Sequence, residues 1–240
     1  MSKIRIDRLL SNLGYGSRKD VAAAVKRGVF YIDNKPYRDP STQVSMKDLH
    51  LATYDHVPLD PVAPLTIVLN KPKNYTCSHD EQGLLIYDLL PERWKYRTPP
   101  LSAAGRLDKD STGLVLMTDD GQLLHKIISP KVHVSKYYRV TLRDDLKGDE
   151  TETFFSGVFC LANDVKPLKP AVWQAEGPRS GIMILQEGRY RQIRRMFGAL
   201  GNHVEELHRF QIGGLTIGDM KEGEYRILNT DEKIIFGETP

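Results

Sequence analysis

The chain has 240 residues, 40% of them hydrophobic, and a formal charge of +3 at pH 7. That is enough apolar material for a packed core and too much for a disordered chain. No apolar run approaches the ~20 residues that span a bilayer, the start Met1-Ser2-Lys3-Ile4-Arg5-Ile6-Asp7-Arg8 lacks the apolar stretch of a secretory leader, and the two cysteines, Cys77 and Cys160, have no metal-type spacing, so a reduced, cytoplasmic protein is expected.

The charge is unevenly placed. Residues 1–40 carry nine Lys or Arg against four Asp, a local +5 that leaves the rest of the chain at −2. Within that basic segment, Ile6, Leu9, Leu10 and Leu13 share one face of a helix. Gly14 and Gly16 break it. Ser17 caps a second helix, with Asp20 at the capping-box position and Gly28 at the end. Val29–Ile32 reads as a strand, with Asp33-Asn34-Lys35 as a turn. Pro58, Pro61 and Pro64 mark a linker, which predicts domains at 1–60 and 61–240.

In the body, strands are expected at 65–69, 114–118, 138–142, 171–174, 182–186, 204–211 and 225–228. Helices are expected at 84–90, 121–128, 149–156, 190–200 and 230–235. Several strands follow one another with no helix between them. This predicts an α+β fold with a mixed, mainly antiparallel sheet. No internal repeat and no glycine-rich phosphate loop appears, so nothing supports an NTPase.

Three segments carry candidate chemistry. The first is the polar loop Ala104-Gly105-Arg106-Leu107-Asp108-Lys109-Asp110-Ser111-Thr112-Gly113, set before the apolar run Leu114–Met117. It reads either as a surface turn with an Arg–Asp pair or as a loop that presents a reactive carboxylate from a rigid sheet. The second holds Arg189, Arg191, Arg194 and Arg195. Arg191, Arg194 and Arg195 have the spacing of one helix face, which is either a solvated basic surface or a seat for phosphates or a carboxylate. The third is Lys136-Tyr137-Tyr138-Arg139, a strand whose two tyrosines point to opposite faces, one of them able to carry a nucleobase. His203 and His208 lie on an expected strand, where no metal set is anticipated.

Together these segments resemble the RsuA-type family of pseudouridine synthases. Leu69-Asn70-Lys71-Pro72 is similar to that family's first motif. Residues 104–121 are similar to the catalytic motif, and Glu187-Gly188-Arg189-Tyr190-Arg191-Gln192-Ile193-Arg194-Arg195-Met196 to the third. Gly201–Arg209 fits the subgroup acting on small-subunit rRNA. The basic N-terminal segment resembles an S4 RNA-binding domain, followed in this family by a catalytic domain on a bifurcated, mainly antiparallel sheet.

The resemblance implies Asp108 as catalytic aspartate, Tyr138 as the stacking tyrosine, and Arg194 as the partner of Asp108. It implies substrate contacts from Arg106, Lys71, Leu185, Arg191 and Gln192, and RNA contacts from Arg5, Arg8, Arg18, Lys19, Lys26 and Arg27. The first motif departs from the family at Asn74, which stands where glycine is usual; asparagine tolerates a positive φ, so the turn can survive. The implied function is isomerisation of a uridine in 16S rRNA, or in a small-subunit assembly intermediate, by a monomer. No cofactor, metal or membrane is implied. The same chemistry on 23S rRNA, and a non-catalytic assembly factor that binds RNA, are the alternatives.

Overall fold

The computed structural model describes residues 3–128, 134–162, 164–229 and 232. The helix expected at 230–235 lies outside these residues except for position 232. The chain forms two compact units. The first takes in the chain up to Leu65 together with Leu90–Ser102 and Thr118–Asp120. The second takes in Thr66–Leu89, Ala103–Met117 and the chain from Gly121 onward.

The first unit packs α1 (Ile6–Asn12) and α2 (Arg18–Arg27) with two small sheets. One pairs β1 (Lys3–Arg5) with β4 (Gln43–Ser45). The other is β2 (Phe30–Ile32), β3 (Lys35–Tyr37), β5 (Ala52–Tyr54) and β6 (Val57–Pro58), in the order β3-β2-β5-β6 and antiparallel throughout. The helix face read from the sequence is the core: Ile6, Leu9, Leu10 and Leu13 are all buried. Ser17 accepts from the Asp20 amide and caps α2; Gly28 ends it at φ 91°. The β2–β3 turn places both Asp33 and Asn34 in the left-handed region, the twist that a two-residue hairpin requires.

Contacts within this unit do not stop at the prolines. Arg93 forms a bidentate pair with Asp60, and Thr98 N donates to Asn12 O at 2.8 Å. Arg97 and Asp119 form a 3.1 Å ion pair with both side chains 1% exposed, and Asp119 also accepts from the Leu65 amide at 2.7 Å.

The second unit contains β7 (Thr66–Lys71), β9 (Thr112–Thr118, whose last residue falls in the first unit), β10 (Lys136–Leu142), β11 (Val172–Gly177), β12 (Ser180–Leu185), β13 (Val204–Ile212), β14 (Leu215–Thr216) and β15 (Tyr225–Ile227). A two-residue strand β8 (Ser102–Ala103) precedes β9. The sheet order is β11-β12-β10-β13-β9-β7-β15, with β14 beside β13. Pairing is antiparallel at β11/β12, β12/β10, β10/β13 and β15/β7, and parallel at β13/β9. The expected α+β class and mixed, mainly antiparallel sheet are what the chain forms. α3 (Gly121–Ile128), α4 (Glu150–Phe155) and α5 (Gln192–Ala199) complete it.

Two expected helices are shorter than their sequence pattern. The segment 84–90 holds only a 3-10 turn, Ile86–Leu89. The Asp88 carboxylate takes the Leu85 amide at 2.9 Å, and Pro91 blocks extension. The segment 190–200 becomes helical only at Gln192, because Arg191 sits at φ 46°, ψ 36°.

The parallel junction is confined to two residue pairs, His208 with Thr112 and Arg209 with Gly113. Gly113 has φ 108°, and a Cβ there would lie 2.2 Å from Arg209 O. Gly113→Ala is therefore expected to destabilise the protein by about 3 kcal/mol or more, since a backbone clash adds to a disfavoured φ. Thermal unfolding should show a midpoint lower by about 6–12 °C. A midpoint within about 2 °C of wild type would mean the junction tolerates a side chain.

Candidate active site

The loop from Gly105 to Ser111 is held from beneath by two buried cations. Lys71, wholly buried at the end of β7, gives its ammonium to the carbonyls of Ser111 at 2.6 Å, Pro72 at 3.0 Å and Lys109 at 3.4 Å. Burial draws its pKa down, against the opposing pull of Cys77 and the Asp110 and Asp108 carboxylates. Asn74 adopts φ 72° and donates its amide to Lys109 O at 2.8 Å, so the turn survives without glycine. On the other side Arg209, 1% exposed, donates to Leu114 O at 2.8 Å and Gly105 O at 3.0 Å. Lys71 is thus spent on the backbone of the loop; the substrate contact expected of it is not what the structure shows, because none of its ammonium faces open space.

Above the loop lies a cleft of about 570 Å³. Asp108, Arg106, Tyr138, Leu185, Arg191 and Gln192 all line it. Strand geometry explains the convergence. Lys136 and Tyr138 share a face of β10, and Leu185 of β12 pairs opposite Lys136. A bulge between Tyr137 and Tyr138 sets Tyr138 opposite Arg209, whose guanidinium carbon is 5.9 Å from the ring centre. Gln192 is fixed by the Arg189 amide and by Glu187, both at 2.9 Å.

The arginines do not form one basic face. Arg191, outside the helix, holds Asp110 at 3.3 and 3.0 Å and comes to 3.8 Å from the Asp108 carboxylate. Arg195 turns away and shares Asp164 with Arg189, at 2.6 and 2.8 Å. Arg194 departs from expectation as well. Its Nε is 3.3 Å from Asp110, with the N–H directed elsewhere, and its other nitrogens donate to Val204 O at 2.6 Å, Asp110 O at 3.2 Å and Ser111 Oγ at 3.4 Å. The expected Arg194–Asp108 pair is replaced by Arg194 on Asp110 and Arg191 beside Asp108. The left-handed turn at Arg191 brings that guanidinium over the loop and leaves Arg194 beneath it. Burial works against ionisation of Asp110, but the Arg191 hydrogen bond and the two arginine charges outweigh it and hold its carboxyl below the ordinary range.

Arg209, Lys136 and Asp110 have no site role assigned from the sequence, where Lys136 and Asp110 figure only within the tyrosine strand and the carboxylate loop. Arg209 had a signal: it shares strand parity with buried Leu207, and a charge on the inner face of a strand needs partners. Among the described residues no group of three or more His, Cys, Asp or Glu is placed to hold a metal. None of the described helices is long and apolar enough to cross a membrane. In the first unit, Arg5, Arg8, Arg18, Lys19, Lys26 and Arg27 are all exposed.

Residues 65–199 match the family described as RNA pseudouridylate synthase, and residues 4–50 match the S4 domain. The chain belongs to the RNA pseudouridylate synthase family and is a pseudouridine synthase with an N-terminal S4 domain. It is 40% identical to ribosomal small subunit pseudouridine synthase A of Escherichia coli (strain K12), over 95% of this chain and 98% of that protein. It is 35% identical to the RNA pseudouridine synthase YtzG of Bacillus subtilis (strain 168), over 98% of this chain and 99% of the other. A crystal structure of a pseudouridylate synthase superposes with a TM-score of 0.67 at 33% identity, covering 97% of this chain and 99% of that one.

Proposed function

We infer that this enzyme isomerises one specific uridine of 16S rRNA to pseudouridine, with Asp108 as the essential carboxylate. The observation that carries this reading is the cleft itself: a partly exposed Asp108 on a loop pinned by Lys71 and Arg209, in the same cavity as the ring of Tyr138 and the wall of Leu185. Pseudouridine has the atoms of uridine, with the glycosidic bond moved from nitrogen to carbon. The reaction therefore consumes no second substrate. The uracil must leave its stack to be detached and turned, which is base flipping. Tyr138 offers the loose base a flat apolar face, and Leu185 bounds it. Asp108 acts as the anion, with Arg191 at 3.8 Å as its counter-charge. Arg106, exposed at the cleft, holds the backbone of the flipped nucleotide.

Residues 1–60 act as the RNA-binding domain, through phosphate contacts of the six exposed cations, and residues 61–240 carry the catalytic domain, with 90–102 and 118–120 grouped with the first unit. The small-subunit assignment rests on the likeness to the small-subunit enzyme over nearly the whole of both chains. The test is to incubate the protein as a monomeric preparation with separate 16S and 23S rRNA transcripts, and with small-subunit assembly intermediates. Pseudouridine is then mapped chemically. A single new pseudouridine in small-subunit RNA is expected. Product in 23S rRNA alone would overturn the substrate assignment, and no product in any RNA would favour a binding-only protein.

A further inference from the structure

The cleft contains a cation whose charge no described residue balances. Lys136 begins β10, lines the cleft beside Tyr138 and is only partly exposed. Among the described residues its ammonium has one hydrogen bond, a long one of 3.4 Å to Val134 O. Among the described residues no carboxylate pairs with it. Asp108 and Glu81 line the same cleft, but the charge that bears on Lys136 is the guanidinium of Arg209, which repels it. Burial first, then Arg209, draws its pKa below that of an ordinary lysine. The other buried cations of this region are differently placed. Lys71 is saturated by three carbonyls, Arg209 spans two, and Arg194 has acceptors on three residues. A partly desolvated ammonium with a weak acceptor and a like charge nearby is unfavourable unless a ligand supplies the missing anion.

We propose that Lys136 is the seat for a phosphodiester of the substrate RNA, that of the nucleotide whose base rests on Tyr138. This rests on the RNA-modifying reading above and adds the residue that fixes the strand at the cleft floor. The spacing suits the role. Lys136 and Tyr138 stand about 7 Å apart on one face of the strand, which is on the order of the reach from a base to the phosphate of its own nucleotide. Leu185 lies opposite Lys136 in the register, so the apolar wall and the phosphate seat flank the tyrosine from one side. The ammonium is a point charge with rotatable donors, suited to a phosphate oxygen approached from more than one direction.

The test compares wild type with Lys136→Met and Lys136→Arg in the full chain. Methionine keeps an unbranched stem and removes the charge; arginine keeps the charge. Binding to the 16S rRNA transcript is measured over a series of salt concentrations, which needs no turnover. Single-turnover rates are measured beside it. For Lys136→Met we expect half-saturation to rise about tenfold near 0.1 M salt, and the slope of log affinity against log salt to shrink by about 0.7–0.9, the share of one phosphate. Lys136→Arg should recover most of the affinity and the slope. An unchanged slope would overturn the proposal, since a contact to an uncharged atom of the base releases no counterion. So would a lost rate at unchanged half-saturation. Failure of the functional reading is seen separately, as absence of pseudouridine from wild-type enzyme.

Discussion

Asp108→Asn should lose product formation by at least about 10³-fold while its affinity for RNA stays within about threefold of wild type. The structure gives the reason for expecting such a clean separation. The loop is held through its carbonyls, by Lys71 and Arg209, and not through the Asp108 side chain. Among the described residues the carboxylate's side-chain partner is Arg191 at 3.8 Å, longer than a hydrogen bond. An amide of the same shape therefore leaves the fold intact and removes only the anion. Tritium release from RNA labelled at uridine C5, read beside a binding isotherm, measures both quantities. Activity within tenfold of wild type would show that another group does the chemistry.

The second large effect is expected at Arg194, for a structural reason. Its guanidinium bridges Asp110 O and Ser111 Oγ of the loop to Val204 O on β13, and its side chain is 9% exposed. Arg194→Ala leaves these acceptors without a partner and should destabilise the protein by about 2–4 kcal/mol. Turnover should fall by about 10²-fold or more, because the loop carrying Asp108 is released on one side. Lysine should not restore it: one ammonium cannot reach acceptors spread across a planar fork. Arg191→Ala serves as contrast. It should lose turnover with little loss of melting temperature, since Arg191 is partly exposed and bonds side chains only. Unfolding and single-turnover rates on the three variants decide this. A fully active Arg194→Lys enzyme would mean that charge alone matters there.

Acid should act on the same network. The folded pKa of Asp110 is depressed, so its contribution to stability is complete above the ordinary value of 3.8 and is lost as pH falls through the lower folded value.

Much of this architecture was legible because it is local. The run Leu114–Met117 is a wholly buried strand, as its unbroken apolar character indicates. Ser17, Asp20 and Gly28 bound α2 because a cap needs only residues within one turn. Asp108, Tyr138 and Leu185 were readable from motifs, and they do line one cleft. What escaped depends on distant partners. Helical spacing puts Arg191, Arg194 and Arg195 on one face, yet the helix begins one residue after Arg191, and a left-handed residue breaks any face. The prolines at 58–64 looked like the end of a domain. Segments 90–102 and 118–120 nevertheless group with the first unit, through pairs such as Arg93–Asp60 and Arg97–Asp119 whose members are 33 and 22 residues apart. No local pattern announces such a return. The role of Arg209 depends on a parallel junction of two residue pairs, too short to leave a periodicity.

That junction has a bearing on which partner must deform when RNA enters the cleft. One guanidinium spans the catalytic loop and the neighbouring strand while underlying the tyrosine ring, and the glycine opposite leaves no slack. A floor built this way does not yield to an incoming nucleotide. On the function proposed above, the work of unstacking then falls on the RNA and is least where the base is already loose. A uridine in a flexible stretch of RNA should enter with little effort, whereas one locked into a helix should enter slowly, so the rate reports how loosely the target is held.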